Sequence, residues 1–469
     1  MNATTQVWDR NWAEAEFGAV EIGDARRTKR LVRLGAAIAS SERGTLPPAL
    51  PAWPDLKAAY RLLTEEEVTH ERIIHPHVER VRQACAEGGE WLHLEDTTTL
   101  SFNERIAAEG LGWTSNEEGR GQGIFLHTGL AVRVEGWDAA QAPQVTVRGL
   151  VDQHWWVRTE PPKTSRESQR ARWERSRESE RWARWYAESA RPAAGARWTY
   201  VADREADAYE TFERCAAKGV SFVIRARVDR ALAEEDRSLF AAVGAARCLG
   251  TYTLSLRKRE GVRAREARIE VRAIQTTLRG PWRPGGWLPP YPIHVIEARE
   301  VGAPKGVEPI HWILLTDRPC PDFAAACRII QTYACRWLLE EYHKALKTGV
   351  GIEKTQLTTA NGITALLGIL ALVAVRLLNM KLLARTHPDT PIEDDLLRSE
   401  VTKVLDAKFG RPKQGWTYAA TFIAIARLGG FLARKRDGMP GWLTIWRGWQ
   451  RLVAMAEGYI LAQDLRKCG

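Results

Sequence analysis

The stretch YACRWLLEEYHKALK, Tyr333 to Lys347, sets the reading of the whole chain. As one continuous helix it carries Tyr333, Arg336, Glu340 and Lys347 within a sector of roughly 60°, because each residue advances the helix by about 100°. A hydroxyl, a guanidinium, a carboxylate and an ammonium on one face pack poorly in a core. They suit a phosphate backbone, the carboxylate holding a metal and its neighbours holding phosphate oxygens. On periodicity alone, a solvated face of i,i+4 ion pairs fits the same pattern.

Composition narrows the partners. The chain has 469 residues and 45% hydrophobic content, enough for two or three domains with proper cores. Its 68 Lys+Arg against 58 Asp+Glu give a formal charge of +10 and favour an anionic partner, nucleic acid ahead of a membrane surface. The 7 cysteines form neither a CxxC pair nor a zinc-spaced Cys/His cluster, which reads as reduced thiols in a cytosolic protein, Cys85 and Cys327 being core residues. The N-terminus lacks the basic-then-apolar order of a signal peptide. The apolar run from Ile363 to Val375, closed by Arg376, is too short to span a bilayer and reads as a buried helix. The expectation is a soluble, cytoplasmic protein with no membrane partner and no organic cofactor.

In chain order, residues 1–70 read as a helical unit. Asp24 is placed as N-cap of a helix whose first turns carry Arg26, Arg27, Lys29 and Arg30. Cations there oppose the helix dipole and suit a phosphate ligand, although a solvated basic helix fits as well. Gly44 to Pro54 reads as a loop, with a second helix from Asp55 to Leu63. Trp91–Phe102, Ile124–Val134 and Val145–Val157 alternate like three strands of a meander, Asp96 near the end of the first. Pro161–Arg191 reads as a charged cover helix, Arg197–Asp203 as a strand ending in an Asp, Ala206–Lys218 as a helix and Ser221–Arg227 as a strand. That order is expected of a ribonuclease-H-like α/β sheet. Residues 235–320 look like a β-rich insertion with a basic turn at 257–266, a solvated hairpin or a DNA contact. A long apolar helix and a helical segment over 416–465, broken at Gly429-Gly430 and Gly438–Gly441, complete the chain.

Asp96 and Asp203 end predicted strands, and Glu340 lies on a helix. Carboxylates at the ends of neighbouring strands converge, and a helix packed on the sheet can deliver a third. Three converging carboxylates need a cation, and a hard divalent ion such as Mg²⁺ or Mn²⁺ is the natural occupant. Two such ions would activate water or a 3′-hydroxyl for in-line phosphoryl displacement. From residue types alone, any enzyme-sized chain offers many such triples.

EDTTTLS (95–101), ADREADAY (202–209), FVIRAR (222–227), HWILLTD (311–317) and the Tyr333, Arg336, Glu340, Lys347 spacing resemble the DDE transposases of the insertion-sequence IS-four family, to which the Tn-five transposase belongs. The likeness continues through RRTKRL (26–31), HWW (154–156), HKALKTG (343–349), VAVRLL (373–378), AIARLGGF (424–431) and WRGWQ (446–450), nearly the whole chain.

The resemblance implies that Asp96, Asp203 and Glu340 form the catalytic, metal-binding triad, holding two Mg²⁺ that Mn²⁺ can replace. It implies phosphate contacts from Tyr333, Arg336, Lys344 and Lys347, DNA contact from Arg225, and stacking of Trp312 on a base flipped out as a DNA hairpin forms. Arg26, Arg27 and Arg30 would bind the transposon end. The implied organisation is an end-binding domain over 1–70, a catalytic domain over 71–370 containing the insertion, and a helical dimerisation domain over 371–469. The implied activity is cut-and-paste transposition of double-stranded DNA by a homodimer in a synaptic complex. A nuclease that does not rejoin ends, or an inactive DNA-binding relic, stand as alternatives.

Overall fold

Leu92, Leu94 and Leu100 enter one hydrophobic core while Trp91 enters another, so successive residues of this segment serve opposite faces of a sheet. The segment is strand β1 (Gly89–Ser101). The computed structural model describes residues 7–40, 46–102, 108–114, 121–139, 141–158, 195–234, 236–256, 263–283, 285–392, 399–434 and 437–468. The charged helix expected over 161–191 and the tip of the basic turn at 257–262 lie outside the described residues.

The meander follows as β3 (Gln122–Trp137), antiparallel to β1, and β4 (Pro143–Trp156), antiparallel to β3, with the short β2 (Gly112–Trp113) on the same edge of β3. β5 (Ala196–Ala202) and β6 (Ser221–Arg225) then run parallel to β1, and the required crossover between them is helix α6 (Tyr209–Lys218). This is the ribonuclease-H-like arrangement expected of the meander and its alternating sequel.

The strands of the expected insertion, β7 (Cys248–Leu256), β8 (Arg265–Leu278), β11 (Tyr291–Val301) and β12 (His311–Thr316), do not form a separate layer. They extend the same sheet in the order β6-β12-β11-β8-β7, giving 10 strands among the described residues. A separate ribbon, β9 (Trp282–Arg283) with β10 (Gly286–Trp287), occupies the Pro/Gly/Trp-rich segment.

The sheet separates two cores. One face is covered by α6 and α7 (Leu239–Ala245), packed on Trp91, Tyr200, Phe222 and Ile224. The other carries Leu92, Leu94, Val201, Val223 and Leu314 against α8 (Phe323–Ala334), α9 (Trp337–Lys344) and α10 (Ala360–Thr386). The N-terminal helices α1 (Val7–Phe17), α2 (Ala25–Ser40), α3 (Leu46–Ala49), α4 (Trp53–Leu63) and α5 (His70–Cys85) join this second core. So do α11 (Ser399–Phe409), α12 (Tyr418–Leu428) and α13 (Trp442–Cys468).

Asp24 caps α2 as expected, its Oδ1 accepting from Arg26 N at 2.7 Å. The proline-rich loop contains the short helix α3, and α4 starts at Trp53 with Pro54 in its first turn, where a missing N–H costs nothing. Cys85 is buried, whereas Cys327 is half-buried. Helix α10 is longer than its apolar run suggested: at 27 residues it is long and apolar enough to cross a membrane, yet 83% of its most apolar window is buried inside the protein.

Candidate active site

Four side chains reach one face by strand alternation. In β1 and β5 the parallel register sets Glu95 opposite Ala202, so Asp96 and Asp203 emerge together where that ladder ends. Leu94 and Val201 point into the helix-covered core, and two residues on, Asp96 and Asp203 point the same way. Arg225 follows Val223 and Trp312 precedes Leu314 on neighbouring strands by the same rule. Asp96 is not near the end of its strand, since β1 continues to Ser101 along β3 after its parallel neighbour has stopped.

Tyr333 to Lys347 is not one helix. α8 ends at Ala334, Cys335 and Arg336 form a turn, α9 runs from Trp337 to Lys344, and Ala345–Gly349 is a π-helical turn. The break follows from bonding three residues back: Arg336 N to Tyr333 O at 3.0 Å, and Leu339 N to Arg336 O at 2.9 Å. Thr332 contributes by donating its hydroxyl to Arg328 O at 2.8 Å, a bond that bends helices. The turn redirects Arg336 toward β1.

There its guanidinium donates to Asp96 Oδ2 and to Glu340 Oε1, each at 2.7 Å, with 15% of its side chain exposed. Burial pushes the Asp96 carboxyl up to about 6; Arg336 opposes that rise, while Asp203 and Glu340 add to it. Asp203 turns its Oδ1 back to accept from Glu205 N at 2.8 Å, capping a short 3₁₀ turn. Tyr333 is buried, and Trp312 meets it edge to face, ring centroids 5.0 Å apart at 75°. Arg225 donates to His311 O at 3.0 Å, and burial lowers its pKa against the neighbouring Tyr333.

Asp96, Asp203, Glu340, Arg336, Tyr333, Arg225 and Trp312 therefore share one neighbourhood. Lys344 lies at the end of α9, exposed, its ammonium 4.7 Å from the Trp337 ring centroid. Lys347 falls in the π-helical turn, where burial lowers its pKa and Glu353 opposes the fall. Arg26, Arg27 and Arg30 stand on α2: Arg26 and Arg30 are exposed, and Arg27 is paired with Glu65.

Sequence reasoning passed over Gln153. Its Nε2 donates to Thr128 Oγ1 at 2.9 Å and to the Tyr342 hydroxyl at 3.0 Å, and its Oε1 meets His70 Nε2 at 2.9 Å, all buried. Tyr342 is two residues from Glu340, so this amide ties the helix bearing Glu340 to the sheet and to α5. Nothing in the sequence pairs Gln153 with a tyrosine so far along the chain.

The face thus carries three carboxylates, oxygen donors of the kind a hard divalent ion takes, with Arg336 bridging two of them. A ribonuclease-H-like sheet with such a face defines a phosphoryl-transfer class, and three family models match the chain in order. They are the Transposase DNA-binding model over residues 9–68, the Transposase DDE domain over 187–376 and the Transposase Tn5 dimerisation domain over 372–469. The chain belongs to the DDE transposases, metal-dependent enzymes that act on DNA. Its DNA-binding and dimerisation modules make it one of the Tn5-like kind. Asp203 and Glu340 fall inside the DDE match, and Asp96 precedes it.

Proposed function

We propose that Asp96, Asp203 and Glu340 are the catalytic carboxylates and hold two Mg²⁺, with Mn²⁺ as a substitute. When bound, the ions supply charge neutralisation at the phosphate and activation of the attacking oxygen. The observation that carries the reading is the Asp96–Arg336–Glu340 bridge beside the Asp203 position: burial, with Asp203 and Glu340 adding to it, lifts the Asp96 pKa to about 6 in spite of Arg336, so these carboxylates want more positive charge than one guanidinium supplies.

The chain's own residues then do the following. Arg336, released from the carboxylates, and Tyr333 bind phosphate oxygens beside the scissile bond, with Lys344 and Lys347 along the same strand of DNA. Arg225 steadies the DNA near Asp203. Trp312 stacks on an unpaired base and stabilises a bent hairpin by about 1–3 kcal/mol. Arg26, Arg27 and Arg30 bind the element's end. The units assigned to these tasks are 1–70 for end binding, 71–370 for catalysis and 371–469 for dimerisation. The product is a transposon cut out through hairpinned ends and joined through its 3′-hydroxyls to target DNA in a synaptic dimer.

The test is a cleavage assay on DNA carrying the element's own ends, with Mg²⁺, resolved on a denaturing gel. Hairpinned ends followed by joining to a plasmid are expected, with Glu340→Gln binding the ends but not nicking them. Nicks without hairpin or joined product would leave a nuclease, and binding without cuts would leave a DNA-binding relic.

A further inference from the structure

On the opposite side of β1 from Asp96, His93 and Glu95 form a buried cluster together with Asp152 from β4. His93 Nε2 lies 3.1 Å from Glu95 Oε1 and 3.6 Å from Asp152 Oδ2, and one ligand atom from each of the three residues lies within 4.8 Å of the other two. Ligand atoms around tetrahedral zinc, at the usual bond lengths, stand roughly 3.3–3.5 Å apart.

The backbone is bent to make this cluster. The β3–β4 register passes from Gly129↔Asp152 to Leu130↔Leu150, leaving Val151 as a bulge residue. Leu150 lies in one core and Val151 in the other, and the bulge delivers Asp152 to the same side as Val151, where strict alternation would have turned it away. Gly129, opposite Glu95, keeps the space open: a Cβ there would come 2.3 Å from Asp152 Oδ1 and 2.8 Å from His93 Nε2. Asp152 is 5% exposed, and neither of its carboxylate oxygens has a hydrogen-bond partner among the described residues. Glu95 is oriented from behind, Oε2 accepting from the Tyr200 hydroxyl at 2.6 Å and lying 3.2 Å from His127 Nε2.

Two buried carboxylates beside His93 and His127 call for compensating positive charge, which a bound cation or an imidazolium supplies. We propose that His93, Glu95 and Asp152 bind a structural Zn²⁺, distinct from the ions at Asp96, that pins β1 behind the catalytic face. Zinc fits better than magnesium because one donor is an imidazole nitrogen and all three side chains are buried.

The full chain, purified without chelator, should carry about one zinc per molecule by elemental analysis, as structural zinc is bound tightly enough to survive purification. Asp203→Asn should keep that zinc and Asp152→Asn should lose it. Stripping wild type with a strong chelator should lower its melting temperature, and Zn²⁺ but not Mg²⁺ should restore it. This measurement decides the matter even if Asp152→Asn does not fold. Zinc that leaves with Asp203→Asn, zinc retained by a folded Asp152→Asn, or a melting temperature indifferent to stripping and reloading would each overturn the site.

Discussion

Arg336 is bonded to Asp96 at 2.7 Å although 240 residues separate them, and its other arm holds Glu340. At the proposed metal site, the bridge makes the guanidinium a rival of the ion. Arg336→Ala should therefore tighten Mn²⁺ binding to the DNA-free protein several-fold, read by titration of the bound ion. The same change should cost about 1–3 kcal/mol of metal-free stability near neutral pH, because it strands carboxylates that are largely out of water. The loss should shrink as acid protonates Asp96.

The Asp96 carboxyl itself sets a pH dependence. Its folded pKa of about 6 is above the ordinary 3.8, so the folded state favours the protonated form. Ionisation therefore subtracts stability progressively as pH rises from the lower value to the higher, and the whole cost is present above both. Asp96→Asn should stabilise the metal-free protein by about 1–3 kcal/mol near pH 8 and by almost nothing below about pH 4, in denaturant titrations. Metal binding to wild type should weaken as pH falls through about 6, since protons compete for the same oxygens.

Gln153 supports Glu340 without being near the chemistry. Gln153→Leu leaves the Tyr342 hydroxyl, Thr128 and His70 short of a buried partner, and should cost about 2–4 kcal/mol. Cleavage should fall through the turnover step while affinity for end DNA stays near wild type. Loss of binding in step with cleavage would contradict this positioning role.

The basic residues of α2 divide by pairing. Arg26 and Arg30 are exposed, so Arg26→Ala and Arg30→Ala should change stability by less than about 0.5 kcal/mol. Each should lower the salt dependence of end binding by about one counterion. Arg27 is committed to Glu65, so Arg27→Ala should also cost up to about 1 kcal/mol of stability.

Much of the fold was legible because local rules govern it. Strand alternation around Leu92, Leu94 and Asp96 marked β1, and Asp24 before a basic amphipathic segment marked α2. The stretch Tyr333–Lys347 has an unbroken helical periodicity yet is interrupted twice, by a bend at Cys335–Arg336 with three-back bonding beside Thr332 bonding its own backbone, and by a π-helical turn at Ala345–Gly349, neither of which leaves a periodic trace.

By itself, the sequence determined the order of elements, the basic charge and which residue types could meet a phosphate, since these depend on neighbours within a few positions. Tertiary structure alone decided that the expected insertion extends the main sheet, that Asp96 and Asp203 leave the β1–β5 ladder together, and that Arg336 stands between Asp96 and Glu340. It also decided, through one bulge at Val151, that Asp152 faces His93 and Glu95. Register and bulges are set by pairing between distant strands, and one residue of slip sends a side chain to the other face.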